Sequence, residues 1–201
     1  MKKLSEISQI FEAHNWVLST KQLLAHKIYP YQIKKMIHSG EIYKLKYGWY
    51  KFEHIKAESP EHEYYEICKM IPKGVFSLLS AAFYYQLTTF IPSAHQISIP
   101  RKSTPPRFNY PPVDYFYWDS NPYELGKELI YTNEQNFFYI YNIEKTVCDL
   151  IKYRNQIGME VCKEVLKAYL NKKNRNLDLL TEYAKKLRIS KTLNSYLTIL
   201  L

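Results

Sequence analysis

Pro30-Tyr31-Gln32-Ile33-Lys34-Lys35-Met36-Ile37-His38-Ser39-Gly40 is the stretch whose reading decides the first part of this chain. At about 100° per residue, Ile33, Met36 and Ile37 fall on one side. Tyr31, Lys34, Lys35 and His38 fall on the other, with Gln32 flanking them. Proline suits the first position of a helix, where its missing N–H needs no partner, and glycine suits the residue past the end. The pattern predicts a helix over 30–39 with its apolar stripe anchored beneath. Its outward face carries two cations, an imidazole and a phenol, groups that bond phosphates and base edges in a major groove.

Upstream, Leu4, Ile7, Ile10 and Phe11 recur at helical spacing and predict a helix over 3–14. Asn15 ends it, and Trp16-Val17-Leu18 reads as extended. Ser19-Thr20-Lys21-Gln22 has capping-box form and opens a second helix expected to bury Leu23, Leu24 and Ile28. Downstream, residues 41–52 read as a hairpin hinged at Tyr47-Gly48. By the period of two, Lys44 and Lys46 share its outer face, leaving Tyr43 and Leu45 for the core side. Three short helices followed by a basic hairpin is the order of a winged helix-turn-helix. The residues expected to meet DNA are Thr20, Lys21, Tyr31, Gln32, Lys34, Lys35, His38, Lys44, Lys46 and Tyr47. The competing reading is a small helical domain with a merely solvated face.

The net charge of +9 is unevenly spread. Residues 1–56 hold 10 Lys/Arg against 4 acids, residues 57–151 hold 7 against 11, and residues 152–201 hold 11 against 4. A basic end block is what a phosphate-binding module needs, because each neutralised phosphate releases counterions. The C-terminal block (Lys163, Lys167, Lys172, Lys173, Arg175, Lys185, Lys186, Arg188 and Lys191) fits DNA, RNA, an acidic partner or plain solubility. No apolar run approaches the ~20 residues of a membrane span. The start has no apolar stretch after Lys2-Lys3, so no secretory leader is expected. Cys68, Cys148 and Cys162 are odd in number and lack C-x-x-C spacing, which argues for a reducing, cytoplasmic setting and against a disulfide framework or zinc. The histidines show no metal-binding spacing, and no phosphate loop or serine-hydrolase elbow occurs. No cofactor, metal or catalytic residue is expected.

The remaining chain predicts a helix over 58–71 with an acidic first turn (Glu58, Glu61, Glu63), a short apolar run at 75–78, and a helix over 80–87. Strands are expected at 96–100, 113–118 and 137–142. A loop over 101–112 contains four prolines. Helices follow over about 143–155, 159–172 and 177–188, with a short terminal one. The fold class is α+β: a winged helix-turn-helix over 1–56, then a mixed α/β domain over 57–201 ending in a helical bundle. Arg101-Lys102 with Arg107 reads equally as a second phosphate contact or a solvated loop. Glu144, Lys145 and Asp149 resemble nuclease chemistry in type, since carboxylates with lysine bind metal and activate water. Residues five apart on a helix point away from each other, however. First-turn electrostatics, capping and a local bond for Asp149 are the simpler reading.

Four segments in order resemble the AbiEi family of antitoxins. Gly40-Glu41-Ile42-Tyr43-Lys44-Leu45-Lys46-Tyr47-Gly48-Trp49-Tyr50 looks like the family's wing. Leu79-Ser80-Ala81-Ala82-Phe83-Tyr84-Tyr85-Gln86-Leu87 is similar to its Ser-Ala helix, through Ser80 and Ala81. Ile97-Ser98-Ile99-Pro100-Arg101 resembles its strand ending in proline and a base. Glu144-Lys145-Thr146-Val147-Cys148-Asp149-Leu150 resembles its Glu-Arg-Thr-x-x-Asp-Leu helix start. The sequence departs from the family where Lys145 stands for the usual arginine and Tyr84-Tyr85-Gln86 for the usual Leu-His-Gly. The resemblance covers about residues 15–155. It implies a non-enzymatic antitoxin of an abortive-infection toxin–antitoxin pair, which represses its own operon at inverted repeats of double-stranded DNA. It also implies neutralisation of a nucleotidyltransferase-like toxin without need of a stable complex. A nuclease or an RNA-binding protein with a winged-helix targeting domain is the alternative.

Overall fold

Residues 2–53, 60–108, 110–131 and 136–200 are described by a computed structural model, in which the chain is α+β. It divides into two units, Met1–Met70 with Pro106–Pro111, and Ile71–Pro105 with Pro112–Leu201.

In the first unit, α1 (Leu4–Glu12) buries Ile7 and Phe11. The chain then turns through Asn15 and Trp16, both in the left-handed region (φ 51° and 64°), into β1 (Val17–Ser19). Helix α2 (Thr20–Ala25) opens on the capping box read from the sequence. The Gln22 N–H donates to Ser19 Oγ (3.3 Å), and the Ser19 N–H donates to Gln22 Oε1 (2.9 Å). Leu23 and Ile28 are buried as expected, but Leu24 is 42% exposed, because so short a helix turns few positions inward. Helix α3 (Pro30–His38) buries Ile33 and Met36 and leaves Ile37, at the margin of the stripe, 40% exposed. It ends in a Schellman pair, with Gly40 N–H donating to Ile37 O and Glu41 N–H to Met36 O. Strands β2 (Ile42–Lys46) and β3 (Trp49–Phe52) form the hairpin. Gly48, at φ +77° in its two-residue turn, holds a conformation most side chains resist. The antiparallel sheet runs β1-β3-β2. Ile7, Phe11, Leu18, Leu23, Ile28, Ile33, Met36, Ile42 and Phe52 form one core between it and the helices. This is the winged helix-turn-helix that the sequence pattern predicts.

The strand alternation expected for the wing is broken. A register shift lies between Lys44 and Lys46, so the buried positions of β2 are Ile42 and Leu45, three apart. Helix α4 (Pro60–Met70) belongs to this unit. Lys51 of β3 is ion-paired with Glu66 of α4, both nearly buried. Lys46 donates its ammonium to the Met70 carbonyl. The units therefore divide after Met70; the expected boundary at residue 56, like Glu58 of the expected acidic turn, lies outside the described residues.

The second unit is a mixed sheet with helices. Its elements are β4 (Val75–Phe76), α5 (Leu78–Tyr84), β5 (His95–Pro100), β6 (Val113–Trp118), α6 (Ser120–Glu124), β7 (Lys127–Tyr131), β8 (Phe137–Tyr141), α7 (Ile143–Lys152), α8 (Arg154–Ile157), α9 (Met159–Leu170), α10 (Leu177–Lys186) and α11 (Ser190–Leu200). The strand order is β6-β5-β4-β8-β7, with β5–β6 and β4–β8 parallel. A parallel neighbour requires the chain to return to the end at which the first strand began, so β5 and β6 are joined by a long connection that includes the prolines read from the sequence. Helix α6 and strand β7 are not legible in the sequence, and the terminal helix α11 is longer than expected. Helix α7 is central: residues Glu144 through Ile151 are all buried, with α5, α9, α10 and α11 around it. Val147, Leu150 and Ile151 join Val165, Leu166, Leu180, Leu193 and Trp118 in the core.

Candidate nucleic-acid interface

On α3, Tyr31 (76% exposed), Lys34, Lys35 and His38 all face solvent, and the helix carries no acid. The core claims Gln32, Ile33 and Met36, and that burial fixes which way the cations point. Gln32 is a correction to the expected interface. It is 6% exposed, and its Nε2 donates to the Lys2 carbonyl (2.9 Å). Its angular position lies beside Met36 on the inward side, so the amide ties the N-terminal arm rather than reaching outward.

The wing adds a second group of residues. Tyr47 at its tip is 90% exposed, and the Lys44 ammonium lies 5.3 Å from its ring centroid. The Thr20 N–H donates to the Gly48 carbonyl (2.7 Å). That bond brings the start of α2, with half-buried Thr20 and exposed Lys21, beside the wing turn. Lys46 does not join them and is the second correction. It is half-buried, sits over the Trp49 ring at 5.7 Å, and is bonded to the Met70 carbonyl. Desolvation holds its ammonium below the usual lysine range. The register shift in β2 turns it away from Lys44, and period-two reasoning has no means of seeing a bulge. Of the ten residues expected at this interface, Thr20, Lys21, Tyr31, Lys34, Lys35, His38, Lys44 and Tyr47 keep accessible positions.

The second-unit residues that carry the sequence resemblance are, Arg101 apart, interior. Ser80 is 1% exposed and Ala81 is fully buried. The Ser80 hydroxyl accepts the Gln96 N–H (2.8 Å), while Gln96 Oε1 accepts the Leu79 N–H (2.8 Å) at the start of α5. Thr146 donates to the Tyr141 carbonyl (3.2 Å). Glu144 Oε1 accepts from the Tyr169 hydroxyl (3.1 Å) and the Asn176 N–H (3.2 Å), pinning the turn before α10. Arg101 is exposed and paired with Asp119 at 2.7 Å.

Lys145 and Asp149, one turn apart, form an ion pair with no solvent exposure, the ammonium 2.7 and 2.6 Å from the two carboxylate oxygens. The same ammonium lies 4.0 Å from the Tyr141 ring centroid and 4.2 Å from that of Trp118. Such an aromatic cradle stabilises a cation that burial would otherwise neutralise. Desolvation pushes the Asp149 carboxyl up to about 6, against the pull of Lys145. It likewise lowers Lys145, against the pull of Asp149. The carboxylates that resemble metal chemistry in type are thus engaged inside the domain, with Asp149 held by a local bond as helix geometry anticipates. The sequence holds one overlooked local signal. Asn142 stands at the N-cap of α7, its Oδ1 accepting the Lys145 N–H (3.0 Å). Nothing local marks Trp118 and Tyr141 as the walls around Lys145.

Among the described residues, no helix is long and apolar enough to cross a membrane. No family model and no curated protein matches this chain.

Proposed function

We propose that this chain is a cytoplasmic DNA-binding repressor of its own operon and the antitoxin of an abortive-infection pair. The observation that carries the DNA-binding half is the acid-free, solvent-facing row Tyr31, Lys34, Lys35 and His38 on α3, in a winged helix-turn-helix whose wing offers Lys44 and Tyr47. A helix so placed enters a major groove with its cations on phosphates and bases, and an exposed wing reaches the neighbouring backbone. The antitoxin half rests on the AbiEi resemblance of the sequence. Arg101 apart, the motif residues of that resemblance are buried within the second unit, so any surface that opposes a nucleotidyltransferase-like toxin is displayed on that scaffold.

The test is binding of the full-length chain to duplex DNA from upstream of its own gene, titrated against salt. Affinity should fall steeply with salt. Lys34→Ala with Lys35→Ala should weaken binding and reduce the logarithmic salt slope by about 0.9 for each phosphate no longer neutralised. Unchanged affinity together with an unchanged slope removes α3 from the interface. For the antitoxin half, co-expression with the product of an adjacent nucleotidyltransferase-like reading frame should restore growth, and persistent toxicity defeats that assignment.

A further inference from the structure

We infer that the major-groove readout by α3 is directed at guanine, a deepening that rests on the DNA-binding reading above. Direct readout needs side chains whose donors and acceptors match a base edge. Adenine is read by an amide that both donates and accepts, and cytosine by an acceptor such as a carboxylate. Guanine presents two acceptors, O6 and N7, and takes donors.

The outward face of α3 carries neither a carboxylate nor an amide. Between Glu12 and Glu41 the sequence contains no carboxylate. None of its three amide side chains is presented on the outward face of α3. Asn15 lies in the turn before β1, Gln22 closes the capping box with Ser19, and Gln32 is buried against the Lys2 carbonyl. The hydroxyl of Ser39 is turned back onto the Lys35 and Met36 carbonyls at 3.1 and 3.2 Å. What remains outward on α3 is Lys34 and Lys35, which only donate, with His38 and the Tyr31 phenol, which can donate or accept. From Tyr31 to His38 the row rises about 10 Å along the helix, the span of about three base-pair steps. A row that long, with two obligate donors at its centre and two groups able to donate at its ends, fits the O6/N7 edges of two or three neighbouring guanines.

The experiment is selection by the full-length chain from a duplex pool with a randomised core of about 20 base pairs, followed by affinity measurement on the recovered duplexes. Recovered cores should share a run of two or three guanines. Replacing those guanines by 7-deazaguanine, which removes only N7, should weaken binding by about tenfold to a hundredfold. Lys34→Gln should shift one position of the selected site from guanine toward adenine, because it installs an amide that both donates and accepts. Recovered cores without guanine, no enrichment at all, or indifference to 7-deazaguanine while salt-dependent binding persists, overturns the guanine inference and leaves DNA binding standing. Failure to retain any duplex even at low salt removes the DNA-binding reading together with it.

Discussion

Lys34 and Lys35 on α3 and Lys145 on α7 are the same residue type on helices of similar length, yet they live in opposite environments. The first two stand in water on the outer face of a small unit, with no acid on their helix. Lys145 has no exposure and is held by Asp149, Trp118 and Tyr141. A solvated lysine costs the fold little and remains available to a polyanion. A buried one must be satisfied completely, because an unpaired charge in a low-dielectric interior is far more costly than one left in water. The difference separates a row left facing solvent from a motif buried inside its own domain, although in sequence both look like polar residues on a helix.

The largest expected effect tests the buried side of that contrast. Asp149→Ala leaves the Lys145 ammonium without its partner and should cost about 3–5 kcal/mol, read from denaturant unfolding of the full chain. Lys145→Met with Asp149→Leu removes both charges and should recover most of the loss. If the single variant unfolds like the parent, the pair is not the interior feature described above. Next in size is Gly126→Ala. Gly126 sits at φ +66°, and a Cβ there would stand 2.7 Å from Lys145 Cβ and 2.8 Å from Asn142 Oδ1. The backbone conformation alone should cost about 1–3 kcal/mol, and a smaller change would mean that the β7–α7 approach is looser than it looks.

The pH dependence sharpens the comparison further. The folded-state pKa of Asp149, about 6, lies above its ordinary value of 3.8. Between those values the folded chain holds a proton that the unfolded chain has released. This group's contribution to stability therefore grows as pH falls from about 6 toward 4, by at most about 1.4 kcal/mol per pH unit. Asp149→Asn should remove that component from the stability–pH curve, and identical curves for parent and variant would refute the assignment. Smallest in stability terms is Lys34→Ala with Lys35→Ala, which should move unfolding by no more than about 0.5 kcal/mol per site, as solvated positions do. A large loss of stability there would mean that these lysines, like Lys145, serve the fold.

Local pattern was enough for the first unit's elements. The capping box at Ser19–Gln22, the Pro30 start and Gly40 stop of α3, and the Tyr47-Gly48 turn are governed by bonds between residues a few positions apart, so their outcome is written in adjacent letters. The outward stance of Tyr31, Lys34, Lys35 and His38 follows from the helical period and the positions of Ile33 and Met36. Tertiary packing decided the rest. Gln32, placed beside Met36 by the helical period, stays buried because its amide donates to the Lys2 carbonyl. Lys46 turned to Met70 because β2 carries a bulge and α4 belongs to this unit. Lys145 became interior because Trp118 and Tyr141, outside its own helix, close around it. The physical reason is range: capping, turns and periodicity act over three or four residues, whereas desolvation depends on everything that arrives from elsewhere in the chain.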